Sequence, residues 1–299
     1  MASDIDHNPK ETFSRIVLQG VPWDANSSFL RGASEAPDHI REAIHSPSAN
    51  YFSENGLDFK NHPLLEDRGN LNFSGEGDDL ALIERQVAGI LAEGHRPLLL
   101  GGDHALTYPA LQAMGAHHTG LTVIHFDAHP DLYDELDGNR FSHACPFARI
   151  MESGRVARLI QVGIRSTTRH QREQALRFGV EVYEMRHRPW RLPMAYSDPL
   201  YISLDLDVLD PAFAPGVSHF EPGGLTTREL IDILQGLQGR VVGADIVEFN
   251  PRRDASGRTA MVAAKLLKEM AALMIQAEDS DGERTKRKPG GVDVHRQLR

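Results

Sequence analysis

The chain of 299 residues has a single cysteine, Cys145, so an internal disulfide bond is excluded and a reducing compartment is favoured. No stretch approaches the roughly 20 consecutive apolar residues that a membrane-spanning helix needs. Residues 1–13 are polar and lack the apolar centre of a secretory signal. Positive charge is scarce, with 32 Lys and Arg against 42 Asp and Glu, which disfavours binding to nucleic acid or to anionic membranes. We therefore expect a cytoplasmic protein with neither of these partners.

Short apolar runs alternate with amphipathic segments along the chain. The pattern predicts strands over 15–21, 97–100, 121–126, 159–163, 180–183, 200–205 and 241–247. It predicts helices over 38–44, 78–93, 104–115, 146–152, 171–178, 227–237 and 259–275, with a long loop region over 50–76. Strands that are apolar on both faces need helices on both sides. We therefore predict an α/β fold, a three-layer α/β/α sandwich with a mostly parallel central sheet.

The domain boundary is predicted from a change in composition near the end of the chain. No linker is found within residues 15–276, and residues 1–277 are expected to form one catalytic domain. Residues 278–299 are charged and almost free of large apolar groups, which predicts a disordered tail.

Carboxylates and imidazoles follow four of the predicted strands. In an open parallel sheet, ligands bind outside the carboxyl ends of the strands, so side chains at these positions are expected to meet at one edge. The residues concerned are His104 after the second strand, Asp127, His129 and Asp131 after the third, Asp205 and Asp207 after the sixth, and Glu248 after the last.

This set of side chains predicts a metal site. Alternate residues of an extended segment point the same way, so Asp127, His129 and Asp131 can converge, as can Asp205 and Asp207. Crowded aspartates repel one another unless cations neutralise them. Six ligands are too many for one tetrahedral zinc ion, but they suit two metals about 3.5 Å apart. Any one of these motifs alone is weak evidence, since Asp-x-Asp pairs are common in turns.

The motifs resemble those of the ureohydrolase family, which includes arginases and agmatinases. They are Gly-Gly-Asp-His at 101–104, Asp-Ala-His-Pro-Asp at 127–131 and the run from Ser203 to Gly216, and the resemblance extends over about 17–270. Within the family the chain is most similar to the plant-type arginases, for example in Ser142-His143-Ala144 and Val247-Glu248-Phe249-Asn250-Pro251.

The resemblance implies a role for each of these positions. One metal would be held by His104, Asp127, Asp131 and Asp205, and the other by His129, Asp127, Asp205 and Asp207. Two divalent ions are expected, Mn²⁺ first, with Ni²⁺ or Co²⁺ left open. His143 matches the family's proton-shuttle histidine and Glu248 its guanidinium-binding carboxylate. Family members are usually trimers or hexamers, so a homo-oligomer is expected.

Elementary chemistry agrees with these implied roles. Two metals lower the pKa of a shared water and provide a nucleophile near neutral pH, and Asp131 is placed to accept its hydrogen bond. A carboxylate such as Glu248 can form a fork with a planar guanidinium. His143 can protonate the leaving amine because the ordinary pKa of histidine is near 6.5. The alternatives without a catalytic role are that His143 is a surface histidine and that Glu248 pairs with Arg252 or Arg253.

The choice of guanidino substrate stays open at this point. Three acids in the loop 132–142 suit the second cation of agmatine, whereas Arg140, Arg165 or Arg252 would suit the carboxylate of L-arginine. Another guanidine or a biguanide is a further alternative. The remaining alternatives are a different hydrolysis on the same scaffold and a non-catalytic, metal-binding subunit of a hetero-oligomer.

Overall fold

A single parallel sheet organises the molecule. The structure, a computed structural model, describes residues 14–73 and 78–286. The strands are β1 (Ile16–Gly20), β2 (Leu65–Asn70), β3 (Arg96–Leu100), β4 (Thr122–Phe126), β5 (Arg158–Ile164), β6 (Glu181–Glu184), β7 (Leu200–Asp205) and β8 (Val241–Val247). They are arranged in the order β2-β1-β3-β8-β7-β4-β5-β6, and all neighbouring pairs are parallel.

Helices cover both faces of this sheet. They are α1 (Ala36–Ile44), α2 (Asp79–Ala92), α3 (Thr107–His117), α4 (Pro146–Ser153), α5 (Arg169–Phe178), α6 (Thr227–Gly236) and α7 (Arg258–Lys286). One apolar cluster joins the sheet to α1, α6 and α7, and a second joins it to α2, α3 and α4. The predicted three-layer α/β/α sandwich is therefore confirmed. Among the described residues, no helix is long and apolar enough to cross a membrane.

The central strands show why the sheet needs both helical layers. In β3, Leu98 and Leu100 belong to one apolar cluster, whereas Leu99 belongs to the other. The same alternation occurs in β7, where Ile202 and Tyr201 lie on opposite faces. Successive side chains of a strand point to opposite faces, so a strand that is apolar throughout must be covered on both sides.

The predicted loop region over 50–76 is wrong in part, because β2 lies within it. This strand reads Leu-Glu-Asp-Arg-Gly-Asn and lacks the apolar run that marks the central strands. It is at the edge of the sheet, pairs with β1 and is fixed by ion pairs, including Arg41 to Asp67 at 2.8 Å. Polar sequences are usual for edge strands, and for this reason the search for apolar periodicity did not predict β2.

The last helix is longer than predicted. It was expected over 259–275, but α7 continues to Lys286 and so includes the start of the segment predicted as a tail. The rest of that predicted tail, 287–299, lies outside the described residues.

Candidate active site

The four central strands of the sheet bring predicted site residues to one edge. His104 follows β3, Asp127 follows β4, Asp205 ends β7 and Glu248 follows β8. These strands are neighbours in the order β3-β8-β7-β4, so their carboxyl ends lie side by side. The topology therefore brings together residues that are up to 144 positions apart in the sequence, the separation of His104 and Glu248.

One cluster is built around His104, which is completely buried. Its Nδ1 atom lies 3.0 Å from Asp131 Oδ2, 3.2 Å from Asp127 Oδ2 and 3.3 Å from Asp205 Oδ2. This Nδ1 atom has no hydrogen-bond partner among the described residues, although it is fully enclosed. A buried ring nitrogen facing three carboxylate oxygens is a fitting set of donors for a divalent cation.

A second cluster is built around His129. Its Nδ1 atom lies 2.9 Å from Asp207 Oδ2 and 3.4 Å from Asp127 Oδ1. Asp127 thus presents Oδ2 to the first cluster and Oδ1 to the second, as a carboxylate that bridges two metals would. Oδ1 of Asp127 also accepts a hydrogen bond from the backbone N–H of His129 at 2.6 Å, and Oδ1 of Asp205 accepts one from the backbone N–H of Asp207 at 2.8 Å. Asp127 contacts the histidines of both clusters, whereas Asp205 contacts that of the first cluster through Oδ2.

The segment after β4 does not stay extended, contrary to the sequence expectation. Asp131 has a φ of 49°, in the left-handed region, and this turns its carboxylate toward His104 while His129 faces Asp207. Glu248 has a φ of 63°. Left-handed backbone at residues other than glycine costs of order 1–3 kcal/mol and is concentrated at functional sites.

Hydrogen bonds fix the tautomer of neutral His104. Its Nε2 lies 2.9 Å from Ser203 Oγ, and Ser203 donates its only hydroxyl proton to Asp245 Oδ1 at 2.8 Å. Ser203 must then accept a hydrogen bond from His104 Nε2–H, so in the neutral ring Nδ1 is the nitrogen that can bind a metal. Asp245 is fully buried and also accepts bonds from Tyr201 and Thr107.

Sequence analysis missed this second layer of residues. Ser203 and Asp245 are paired across β7 and β8, and only the register of those strands reveals that they meet. A signal for Ser203 was its position two residues before Asp205, because alternate residues of a strand share a face.

Asp127 has a third histidine partner that the sequence analysis also missed. His125 Nε2 lies 2.7 Å from Asp127 Oδ2. The side-chain amide of Gln161 donates to His125 Nδ1 at 3.0 Å and to the carbonyl of Pro130 at 2.6 Å. Nδ1 is therefore an acceptor, and Nε2–H donates to Asp127. Burial lowers the pKa of His125, which favours this neutral form.

The carboxylates carry an electrostatic cost when no cation is bound. Burial, followed by the charges of Asp207 and Asp127, raises the pKa of Asp205 well above its ordinary value. Burial, followed by Asp127, raises the pKa of Asp207 in the same way. Both shifts show that the site disfavours its own negative charge, and divalent cations would relieve this repulsion.

His143 and Glu248 form a buried pair beside the two clusters. His143 Nδ1 lies 2.8 Å from Glu248 Oε1, and the backbone N–H of His104 donates to the same oxygen at 2.9 Å. Burial of His143 opposes its charge, but the Glu248 carboxylate outweighs this and raises the pKa of His143 to about 9. The alternative pairing of Glu248 with Arg252 or Arg253 is not observed among the described residues, since Arg252 binds Glu35 and Arg253 lies over the ring of Phe220.

A cavity of about 280 Å³ opens above these groups. Its floor consists of carboxylates and histidines, and its outer wall carries Ser28, Tyr133, Ser166, Thr167, Thr168 and His219. Within the described part of the chain, no lysine or arginine lines it. The arginines considered above are engaged elsewhere. Arg165 donates to backbone carbonyls, including those of Asp207 and Glu221, and Arg140 pairs with Asp134 and Glu152.

The site thus combines two joined clusters of metal ligands with an adjacent acid–base pair in an accessible cavity. The donor set can hold two divalent cations, and the neighbouring imidazole can move protons. This arrangement is typical of a dinuclear metal-dependent hydrolase.

Comparison with known proteins identifies the family. Residues 14–272 match the model of the Arginase family. The chain is 50% identical over 272 residues to Arginase 1, mitochondrial, of Arabidopsis thaliana, covering 85% of this chain and 80% of that relative. It is 38% identical over 269 residues to the mitochondrial guanidino acid hydrolase of Homo sapiens, covering 84% and 76% of the two chains. The solved structure of arginase from Medicago truncatula is similar, with a TM-score of 0.82, 44% identity and 87% coverage of each chain.

The chain belongs to the arginase family, as its motifs indicated. It is a metal-dependent hydrolase of carbon–nitrogen bonds in linear amidines, the reaction class of its arginase and agmatinase relatives.

The prediction of a cytoplasmic location is wrong by this comparison. The relatives from Arabidopsis thaliana and Oryza sativa are named as mitochondrial or as chloroplastic/mitochondrial arginases. The single cysteine and the lack of a secretory signal or a membrane-spanning stretch, on which the prediction rested, do not distinguish these compartments from the cytoplasm.

Proposed function

We propose that this protein hydrolyses L-arginine to urea and L-ornithine with two Mn²⁺ ions. The observation that carries the proposal is the pair of clusters joined by Asp127, set beside the His143–Glu248 pair. The plant relatives, at 45–50% identity, are named arginases, and this supports arginine over other guanidines.

The metals would be held by the residues that the two clusters contain. His104, Asp127, Asp131 and Asp205 would bind one ion, and Asp127, His129, Asp205 and Asp207 the other. When bound, the ions lower the pKa of a shared water and supply hydroxide near neutral pH. Four carboxylates against two imidazoles favour a hard cation such as Mn²⁺ over Ni²⁺ or Co²⁺.

Glu248 would bind the substrate guanidinium. Its Oε1 atom accepts hydrogen bonds from His143 and from the backbone of His104, so Oε2 is the oxygen that remains for a ligand in the cavity. The two bonds on Oε1 hold the carboxylate in one orientation. A guanidinium bound to Oε2 would therefore place its carbon at a fixed position above the metal ligands. Contact through one oxygen replaces the symmetrical fork expected from sequence.

His143 would donate a proton to the departing nitrogen. Its Nδ1–H is committed to Glu248, so the transferable proton is on Nε2. The raised pKa of about 9 keeps the imidazole charged at neutral pH, ready to donate. Asp131 lies on the other side, within the first cluster, where it would accept a hydrogen bond from the nucleophile and orient it.

The outer wall of the cavity supports L-arginine over agmatine. The loop acid Asp134 is paired with Arg149 at 2.8 Å and with Arg140 at 3.1 Å, so it is not available for a second substrate cation. Ser166, Thr167 and Thr168 line the wall instead. Uncharged polar residues suit the amino-acid end of arginine better than an isolated ammonium group.

The test is urea release by the Mn²⁺-loaded protein from L-arginine, agmatine, guanidinobutyrate and simple guanidines. We expect turnover of L-arginine that a chelator abolishes. Replacement of His143 by Ala should abolish turnover while the protein keeps both metals. Urea from agmatine alone would reject the substrate proposed here, and no urea from any compound would reject the reaction.

We also propose that the protein is a homo-oligomer, a trimer or a hexamer. The family resemblance supports this, and large apolar side chains are exposed on the single chain, among them Leu176 at 83%. Light scattering coupled to size exclusion tests it, and a mass of one chain would contradict it.

A further inference from the structure

Ser28 touches the buried histidine of the site from the solvent side. Its hydroxyl Oγ lies 2.8 Å from Nε2 of His143. His143 is 7% exposed, whereas Ser28 is an exposed residue, and both line the cavity. The hydroxyl therefore stands between the ring nitrogen and the surrounding water.

The two ring nitrogens of His143 have different roles. Nδ1 faces the carboxylate of Glu248 and so carries a proton in both ionisation states of the ring. Nε2 is then the nitrogen that loses and regains a proton. A serine hydroxyl can accept from Nε2–H and can donate to a bare Nε2, so Ser28 can bond to Nε2 before and after the proton is given to the departing nitrogen.

Asn26 holds Ser28 against His143. Its backbone N–H donates to Asp103 Oδ2 at 2.9 Å, and its backbone carbonyl accepts from the N–H of His143 at 3.1 Å. Its side-chain amide donates to the carbonyl of Phe141 at 2.6 Å. These bonds join the segment containing Ser28 to the loop containing His143, although the two residues are 115 positions apart.

A glycine allows this segment to lie close to the end of β3. A Cβ atom on Gly102 would come within 1.7 Å of the carbonyl oxygen of Trp23, which an L side chain cannot do. Asp103, the next residue, donates its backbone N–H to that same carbonyl at 3.0 Å. The position of Ser28 is therefore set by the Gly-Gly-Asp-His motif as well as by Asn26.

We propose that the hydroxyl of Ser28 relays protons between solvent and Nε2 of His143. This inference rests on the proposed role of His143 as the donor to the departing nitrogen. After that donation, the O–H bond of Ser28 breaks as a new N–H bond forms at Nε2. At the same time Oγ takes a proton from a solvent water or a buffer acid, whose conjugate base stays in solution. Serine ends the step unchanged, and His143 is ready for another turnover.

His219 is the competing proton carrier near His143. Its ring centroid lies 5.3 Å from that of His143, with the planes inclined at 39°. Burial, followed by the charge of His143, lowers the pKa of His219. Ser28 is favoured because its oxygen is already at hydrogen-bond distance from Nε2.

The experiment compares Ser28→Ala, Ser28→Thr and, as a matched control, Ser27→Ala. Ser27 directs its hydroxyl at Asp103 Oδ2, 3.3 Å away. For Ser28→Ala we expect kcat to fall about tenfold or more. The KM for L-arginine should stay within about twofold, and the metal content should not change. Ser28→Thr should keep most of kcat, and added imidazole buffer should restore kcat in Ser28→Ala by supplying the proton from solution.

Three results would overturn the relay. The first is wild-type kcat in Ser28→Ala, and the second is a loss confined to KM. The third is a loss of kcat in His219→Gln that added imidazole restores, while Ser28→Ala shows no such loss of kcat. His143→Ala separates the relay from the function it rests on. If that variant is inactive with both metals bound while Ser28→Ala is fully active, only the relay fails. If His143→Ala keeps its turnover, the proposed role of His143 fails as well.

Discussion

The Nδ1 atom of His143 lies 2.8 Å from Oε1 of Glu248, so the proposed proton donor and the proposed substrate anchor are bonded to each other. The carboxylate holds the imidazole in one orientation and keeps it charged. The imidazole, in turn, leaves only the second oxygen of Glu248 for the guanidinium. Binding and proton transfer are thereby coupled through one hydrogen bond.

Replacement of Glu248 by Gln tests this coupling. We expect kcat/KM to fall by about two orders of magnitude, since a buried charge partner of the substrate is lost. The pH profile should also move. The pKa of His143 is raised to about 9 by Glu248, so wild-type activity should decline as pH rises through about 9. In the Gln variant that decline should begin at lower pH. An unchanged alkaline limb would contradict the assignment of His143 as the acid.

Ser203→Ala should weaken metal binding about 10- to 100-fold, because His104 loses the partner that fixes its tautomer. Titration of the metal-free protein with Mn²⁺, followed by calorimetry, measures this directly. Thr107→Val is the matched control, since the hydroxyl of Thr107 also donates to Asp245, whereas it is the hydroxyl of Ser203 that contacts the ring of His104. Equal losses of Mn²⁺ affinity in the two variants would show that disturbing Asp245 causes the effect, and would contradict the role given to Ser203.

Glu221→Gln should weaken the second metal position by about tenfold. Oε1 of Glu221 lies 3.5 Å from Nε2 of His129, on the side of the ring opposite to the metal ligands. The carboxylate supports the ring as a hydrogen-bond acceptor, and Gln weakens that support. Glu181→Gln, which removes a partner of Arg158 away from the site, should leave Mn²⁺ binding unchanged. A full complement of tightly bound Mn²⁺ in Glu221→Gln would reject this role.

Removal of the metals should destabilise the protein more at high pH than at low pH. In the metal-free site the pKa values of Asp205, Asp207, His104 and His129 are all raised, whereas that of Asp127 is lowered. Groups with raised pKa values bind protons more tightly in the folded state, so their contribution to stability is lost as pH rises through those values. Between about pH 5 and 8 the net effect follows the four raised groups.

Thermal unfolding of the chelated and Mn²⁺-loaded proteins checks this. Loading with Mn²⁺ should raise Tm by about 5–10 °C at neutral pH and by a smaller amount near pH 5. The increase in Tm should reverse when a chelator removes the metal. A Tm of the metal-free protein that rises steadily with pH would contradict the account.

The sequence predicted the parts of the site that follow from strand periodicity. His104, Asp127 and Asp205 were placed correctly because each follows an apolar run, and parallel strands end at a common edge. Glu248 also follows a predicted strand, and only its role came from the family resemblance. His143 came from a family motif, since nothing in a polar loop marks it locally.

Other features depend on contacts that the sequence alone does not contain. Asp245 sits within an apolar strand and meets Ser203 only through the register of β7 and β8. The left-handed turn at Asp131 has no glycine to announce it. Ser28 reaches His143 through bonds between two loops, and strand β2 lacks the apolar alternation of a central strand.

Urea release from L-arginine, measured while Mn²⁺ is added stepwise to the metal-free protein, tests the central claim most directly. The structure has one continuous site in which Asp127 serves both clusters, so activity should appear with metal and reach its plateau at two ions per chain. Two ions bound per chain without urea from L-arginine would contradict the account, as would full activity in the absence of metal.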